Sequence, residues 1–321
     1  MVISVVIMSV LEHLGKYKDL SGELVAQFGF WPCTDLAGGK GWQVAARLHH
    51  LEWSSGNQPP RRWAVILHGI LGSGANWAGF SRDLALLHPT WGVMAVDLRL
   101  HGRSSSGSPP DRLESCVEDV LALASQLGYR VEAAIGHSFG SKIALQLGTS
   151  VESIRHVISI DADPGPVDLT GNGREQVPVL RLIDGLRRIQ KTEFSTRREF
   201  DRFLESSGFG EAVAGWVGKN LVRSDGRWQF QLDIDRVEAM LLDQHRFDAW
   251  PLVQSSSCER ISFCIGGKSK VVSEASRNRL EDLQVQQPGR IRVEIFEGAG
   301  HWVHIDAADD LLQFVSERML D

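Results

Sequence analysis

The amino-acid sequence predicts an α/β domain built on a mostly parallel, doubly wound sheet with a helical insertion. Three observations carry this. Short apolar runs alternate with amphipathic stretches at helical spacing. The runs are apolar on both faces, as strands of a parallel sheet covered by helices must be. Polar residues able to do chemistry, His68, Asp97, Ser138, Asp161 and His301, follow five of these runs. In open parallel sheets reactive groups collect beyond the carboxyl ends of strands, which is where these residues fall.

Taken in order, residues 54–60 form a polar turn leading into the first run. That run, 63–67, ends at His68-Gly69, and the run 92–96 ends at Asp97. Leu113, Val117, Val120, Leu121, Ala124 and Leu127 then repeat at helical spacing, and Gly128 ends that helix. The run 131–135 leads into Gly136-His137-Ser138-Phe139-Gly140, and a helix-like stretch, 141–147, follows. The run 156–160 ends at Asp161, the run 261–265 at Gly266-Gly267, and the run 291–296 at Gly298-Ala299-Gly300-His301. A helix over 307–319, with Leu311, Leu312 and Val315 on one face, closes the chain.

The alternation breaks between Pro164 and Pro251. Leu180, Ile183, Leu186 and Ile189, then Phe200, Phe203 and Leu204, have helical spacing, and Ser224-Asp225-Gly226 is a turn signal. Residues 165–251 therefore read as a helical cap inserted into a core of 42–164 and 252–321. Return of the strand–helix pattern at Ile261 favours a cap over a separate helical domain. Residues 1–41 form an N-terminal extension to which the sequence assigns no function.

Composition narrows the function classes. The chain has 321 residues, 43% of them apolar, which is enough for a large core. A net charge of −6 with both signs dispersed argues against nucleic acid. The run 1–11 is apolar but too short to span a bilayer, and it lacks the charged start of a secretory signal. Cys33, Cys116, Cys258 and Cys264 have no metal-binding spacing, and Cys264 reads as a buried thiol. This usage suits a reducing compartment, the cytoplasm first and an organelle as the alternative. His49-His50 has no third ligand at useful spacing, so no metal is expected. Oligomeric state is not encoded in any pattern here.

Gly136-His137-Ser138-Phe139-Gly140 carries the chemistry. Strand, sharp turn and helix with serine at the apex make a nucleophile elbow. Such a turn leaves no room for a Cβ at Gly136 or Gly140. Serine needs a base, and His301, flanked by Gly300 and Trp302, is the candidate. His304 lies further from the strand end and reads as a packing or capping residue. His137 is expected to support the turn. The base in turn needs a carboxylate to fix its tautomer.

The commonest place for that acid is the loop after the penultimate strand, but residues 266–273 contain no carboxylate and Glu274 looks like first-turn helix charge. Asp161 and Asp163 follow the strand next to the nucleophile. Asp161 ends the strand directly and is the first choice; Asp163 is the alternate, and Asp225 of the insertion a third candidate. An oxyanion needs two N–H donors, assigned to the backbones of Phe139 and Ile70, the latter in the turn after His68-Gly69. The stretch from Asp97 to Ser104 reads as structural, its charges and turns shaping a cavity rim.

Together these residues resemble the α/β-hydrolase superfamily from about Trp42 to Asp321. The resemblance rests on the His68-Gly69 turn, Asp97-x-Arg99-x-His101-Gly102-x-Ser104, the elbow, and Gly298-x-Gly300-His301-Trp302. Within it the chain looks most like the esterase group around abhydrolase domain-containing protein 11. Ile160-Asp161 with Pro164, Gly226-Arg227-Trp228, Gly266-Gly267-Lys268-Ser269 and Gly300-His301-Trp302-Val303-His304 point there. The resemblance implies the α/β-hydrolase fold and the chain order serine, acid, histidine. That group also lacks the acid after the penultimate strand, which supports Asp161. Ser141 departs from the glycine many relatives carry after the elbow.

The expected activity is a serine hydrolase of carboxylic esters, thioesters included, acting through an acyl-enzyme on a small-molecule substrate without cofactor. A ligand-binding protein on the same scaffold, and carbon–carbon hydrolysis or perhydrolysis, are the alternatives. Trp216, Trp228, Phe209, Phe230 and Trp250 suit either an apolar pocket wall or the insertion's own core.

Overall fold

Seven strands form the central sheet: β1 (His50–Trp53), β2 (Arg62–Leu67), β3 (Trp91–Val96), β4 (Val131–His137), β5 (His156–Ile160), β6 (Arg260–Gly266) and β7 (Ile291–Phe296). Their order across the sheet is β7-β6-β5-β4-β2-β3-β1. Strands β2 to β7 are mutually parallel, and β1 is an antiparallel edge on β3. This is the α/β-hydrolase architecture that the sequence resemblance implies.

The computed structural model describes residues 30–32, 42–170, 173–255 and 257–319. The apolar run 1–11 and Cys33 lie outside the described residues. Phe30–Pro32 pairs antiparallel with Trp42–Val44. The chain divides into one unit up to Val44 and another from Ala45.

Helices α1 (Ala78–Leu87), α2 (Leu113–Leu127) and α3 (Phe139–Ser150) alternate with the early strands. The insertion supplies α4 (Pro178–Arg187), α5 (Arg197–Ser206), α6 (Glu211–Val217) and α7 (Ile234–Arg246). Helices α8 (Glu274–Gln286) and α9 (Ala308–Met319) complete the core. Among the described residues no helix is long and apolar enough to cross a membrane.

The strand side chains divide with the period of two that a pleated backbone imposes. Val65, Leu67, Met94, Val96 and Ala134 join the core on one face with Val117, Val120 and Ile143. Ala64, Ile66, Val93, Ala95, Ala133 and Ile135 join the core on the other with Leu84, Leu311 and Val315. Both faces are thus covered, which is why these strands read as unbroken apolar runs. Helix α2 ends at Gly128, whose φ of 68° leads the chain out through a left-handed cap.

The insertion is not purely helical. Leu221–Ser224 and Arg227–Phe230 form a hairpin, and Glu193–Phe194 adds a third strand to it. The expected turn closes the hairpin, with φ of 49° at Asp225 and 79° at Gly226. Strands of two to four residues are too short to display an alternation, so the sequence reading missed them. Leu180, Ile183, Leu186, Phe200 and Leu204 are buried at the helical spacing expected of them.

One buried cation binds the insertion to the core. Lys142 on α3 is almost wholly enclosed, and its Nζ donates to the carbonyls of Gly165 (2.8 Å), Gln244 (3.0 Å) and Phe247 (2.7 Å). Gly165 lies where the chain enters the insertion, and Gln244 and Phe247 where it leaves. Burial pulls the amine's pKa down to about 8. Lys142→Met should leave two buried carbonyls and one part-buried one without the Lys142 donor. It is expected to lower stability by about 3 kcal/mol, read as a shift in the urea midpoint at unchanged slope.

Candidate active site

The sheet reverses its winding between β2 and β4, and Ser138 and the His68-Gly69 turn emerge side by side at that switch point. Ser138 is half-buried, with φ 52° and ψ −113°, a backbone conformation a side-chain-bearing residue rarely adopts. Close approach enforces it. A Cβ on Gly136 would lie 2.2 Å from the Gly140 carbonyl oxygen, and one on Gly140 would lie 2.3 Å from that of Leu67. The Ser141 hydroxyl donates to the Gly136 carbonyl (2.7 Å) and accepts from the Ile160 N–H (3.2 Å), tying the elbow to β5. That interaction explains why serine suits a position for which the family resemblance suggested glycine.

Asp161 ends β5 with its side chain fully enclosed. It accepts from the Gly266 N–H (3.0 Å) and the Ser269 hydroxyl (2.5 Å), and its Oδ2 lies 2.7 Å from His301 Nδ1. A carboxylate only accepts, so Nδ1 carries a ring proton, and in the neutral ring the lone pair is on Nε2. The His301 carbonyl bonds the His137 ring (2.9 Å), and the two imidazoles lie 4.7 Å apart, so the loop after β7 folds back against the elbow. Ser138, His301 and Asp161 are thus gathered at one end of the sheet.

The other acids lie elsewhere. Asp163 accepts from the N–H of Gly165 and Ser273 and from the hydroxyls of Ser273 and Ser276, anchoring the start of α8. Asp225 is exposed at the tip of the hairpin in the insertion. His304 is stacked on Trp77 at 4.1 Å, and burial holds its pKa down at about 4. Among the described residues no cluster of His, Cys, Asp or Glu could hold a metal ion.

Two matching turns pack against one another, the first of them beside Ser138. In the first, the Gly72 N–H bonds the Gly69 carbonyl (3.0 Å) and Leu71 has φ 62°. In the second, the His101 N–H bonds the Leu98 carbonyl (3.0 Å) and Leu100 has φ 65°. A positive φ at the third residue alone marks both as type II turns, with leucine where glycine is usual. They clamp one another. His68 Nε2 accepts from the Leu98 N–H (3.0 Å), and His101 Nε2 accepts from the Leu71 N–H (3.0 Å). Each ring's Nδ1 donates to a nearby carbonyl, Gly69 for His68 and Arg99 for His101. Both imidazoles must be neutral to play both parts. Burial lowers the pKa of each, that of His101 to about 3.

The Ile70 N–H, by contrast, has no hydrogen-bond partner among the described residues. The Phe139 N–H is the first of α3, one of the donors a helix leaves unsatisfied. A Cβ on Gly69 would lie 3.3 Å from Ser138 Cβ, so the first turn packs directly over the serine.

Asp97 accepts from the N–H groups of Gly74 (2.7 Å) and Arg103 (2.9 Å) and contacts His49 Nδ1 (3.0 Å). Arg99 pairs with Asp119 through two bonds of 2.6 and 3.0 Å. The charges of this stretch are thus engaged by neighbouring groups. Of the aromatic residues in the insertion, Phe230 packs on Phe200, and Trp250 is buried beneath Arg279. Phe209 and Trp228 pack against the buried core. Trp216 meets a residue adjoining the site: it lies edge-on to Trp302, 5.7 Å away. Sequence reasoning did not reach Ser269, Ser141, Asn220 or the Trp216–Trp302 contact, because polar and aromatic residues in loops carry no local mark of their distant partners.

Comparison with known proteins agrees with this architecture. The model of the alpha/beta hydrolase family matches residues 64–314. The chain is 27% identical over 266 residues to the esterase YbfF of Escherichia coli (strain K12), covering 83% of this chain and 96% of that one. It is 25% identical over 254 residues to the sn-1-specific diacylglycerol lipase ABHD11 of Mus musculus, covering 78% of this chain and 79% of that one. A marine microorganism esterase superimposes with a TM-score of 0.72 at 22% identity, covering 86% of this chain and all of that one.

The buried imidazoles set an acid limit on stability. The pKa values of His101 (about 3), His245 and His304 (about 4 each) lie below the ordinary 6.5. The unfolded chain therefore binds more protons below that pH. The stability these neutral rings contribute is fully present above about pH 6.5 and is lost as pH falls toward their folded-state values. Urea titrations at pH 7.5 and pH 5 should differ by about 2 kcal/mol or more, with the acidic sample the weaker; equal midpoints would contradict neutral burial.

Proposed function

The chain belongs to the alpha/beta hydrolase family, and from that premise we propose that it is a serine hydrolase of carboxylic esters, thioesters included. The observation that carries the reading is the 2.7 Å contact between His301 Nδ1 and a buried Asp161, made beside a serine strained to φ 52°. An imidazole so oriented has a free lone pair, and a serine needs such a base before it can attack.

Ser138 Oγ attacks the substrate's carbonyl carbon and passes its proton to His301 Nε2. The carbonyl oxygen takes the negative charge, stabilised by the N–H groups of Phe139 and Ile70. Asp161 steadies the imidazolium without itself taking the proton. The bond to the leaving alkoxide or thiolate then breaks, and His301 returns a proton to it. Water next gives a proton to His301 and attacks the acyl carbon. The ester bond to Ser138 breaks, the acid departs and the serine recovers its proton.

The insertion acts as a cap. Trp216 against Trp302, the residue after His301, supports an apolar wall beside the base. That suits an apolar acyl group, in keeping with the lipase name of the mouse relative. Graded p-nitrophenyl esters test the preference.

A fluorophosphonate probe should label the wild-type protein and not Ser138→Ala; equal labelling of both would end the reading. Asp161→Asn should cut kcat about 10³- to 10⁴-fold by favouring the wrong tautomer. Asp163→Asn should leave kcat within about fivefold while lowering the melting temperature, since Asp163 holds the start of α8 and the Gly165 N–H.

A further inference from the structure

Asn220 follows α6 in the insertion, yet its side chain is spent on the core. It is 2% exposed. Its Nδ2 donates to the Leu71 carbonyl (2.6 Å) and to the Val217 carbonyl (3.2 Å), and its Oδ1 accepts from the Gly102 N–H (3.1 Å). One amide therefore joins the first leucine turn to Gly102, the residue after the second turn, and His68 and His101 join the two turns to each other.

The bond to Leu71 has a conformational consequence. A left-handed leucine costs about 1–2 kcal/mol relative to its ordinary conformations. A type II turn relaxes to type I by rotating its central peptide, here the one joining Ile70 to Leu71. That rotation would move the Ile70 carbonyl and the Leu71 N–H, and His101 opposes it by holding that N–H. Asn220 fixes the following peptide through the Leu71 carbonyl, so the two bonds together pin the closing half of the turn that carries Ile70. Both polar groups of this strained residue are thus occupied, one by the core and one by the insertion.

We infer that Asn220 is a positioning residue for the oxyanion turn, through which the docked insertion holds Ile70 in its working orientation. The inference rests on the hydrolase reading only for the role of the Ile70 N–H; the clamp itself does not depend on it. The insertion then does more than wall the substrate: its seating sets the rate of the chemical step.

Kinetics of Asn220→Ala and Asn220→Asp test this. N220A should lower kcat about 10- to 100-fold with KM changed less than about threefold. Affinity for a trifluoromethyl ketone, which forms an oxyanion adduct on the serine, should fall in parallel. The acid limb of the kcat/KM profile should not move, because His301 and Asp161 are untouched. N220D keeps the Gly102 acceptor but loses the Leu71 donor, and its protonated form restores it. The ratio of kcat for N220D to that for N220A should therefore rise as pH is lowered, which a merely structural role would not produce.

A loss confined to KM, or a kcat within about twofold of wild type, would overturn the inference. Hydrogen exchange decides it independently of turnover. Amides 69–74 should exchange about tenfold faster in N220A or N220D than in the wild-type protein, and unchanged exchange would overturn the clamp. If the wild-type protein shows no Ser138-dependent hydrolysis, the hydrolase reading fails, and this exchange measurement still tests the clamp.

Discussion

Asp161 places a carboxylate at the end of β5 where water does not reach it. A buried charge is tolerated only when donors surround it. Here the donors come from the Gly266 N–H, the Ser269 hydroxyl and His301 Nδ1, which lie on the loops after β6 and β7. Satisfying one carboxylate therefore draws two later loops toward the strand that ends at Ser138. The imidazole's orientation and tautomer follow from that satisfaction. Asp161 itself has φ 47°, so the end of β5 turns sharply and aims its carboxylate across the neighbouring strands.

Around Ser138 the constraint is steric. The backbone of β2 passes close under Gly140, and that of the α3 start close over Gly136. Neither position has room for a methyl group, and the serine between them is held in a conformation it would not choose alone. The neighbouring turns are strained in a similar way, with leucines at φ 62° and 65°. Strain of this kind persists only where surrounding bonds over-determine it. Reciprocal acceptance by His68 and His101 supplies that, and it requires two imidazoles so buried that they remain neutral.

The insertion and the core are linked through the same region. Lys142, four residues after Ser138, gathers the carbonyls at both ends of the insertion. Asn220 reaches from its middle to the turns beside the serine, and Trp216 meets Trp302 beside His301. These three contacts reach α3, the turn after β2 and the loop after β7. An insertion tied at such points is mechanically continuous with the loops it touches.

The strand ends, the elbow and the helix at 113–127 were legible because each has a local cause: apolar continuity, glycine at a tight turn, apolar spacing on one helical face. Asp161 was preferred to Asp163 from its position at the strand end; their separation into different hydrogen-bond sets appears only in three dimensions. The short strands at 193–194, 221–224 and 227–230 were not legible, since so few residues show no period. Nor did Lys142 or Asn220 announce itself, because a lysine in a helix and an asparagine after one usually face water. By itself the sequence determined where the parallel strands of the central sheet stop and which reactive side chains stand there, since these depend on neighbours in the chain. Only the tertiary structure decided which polar groups are buried and what satisfies them, since those partners lie up to 228 residues away and meet only when the sheet and its insertion are assembled.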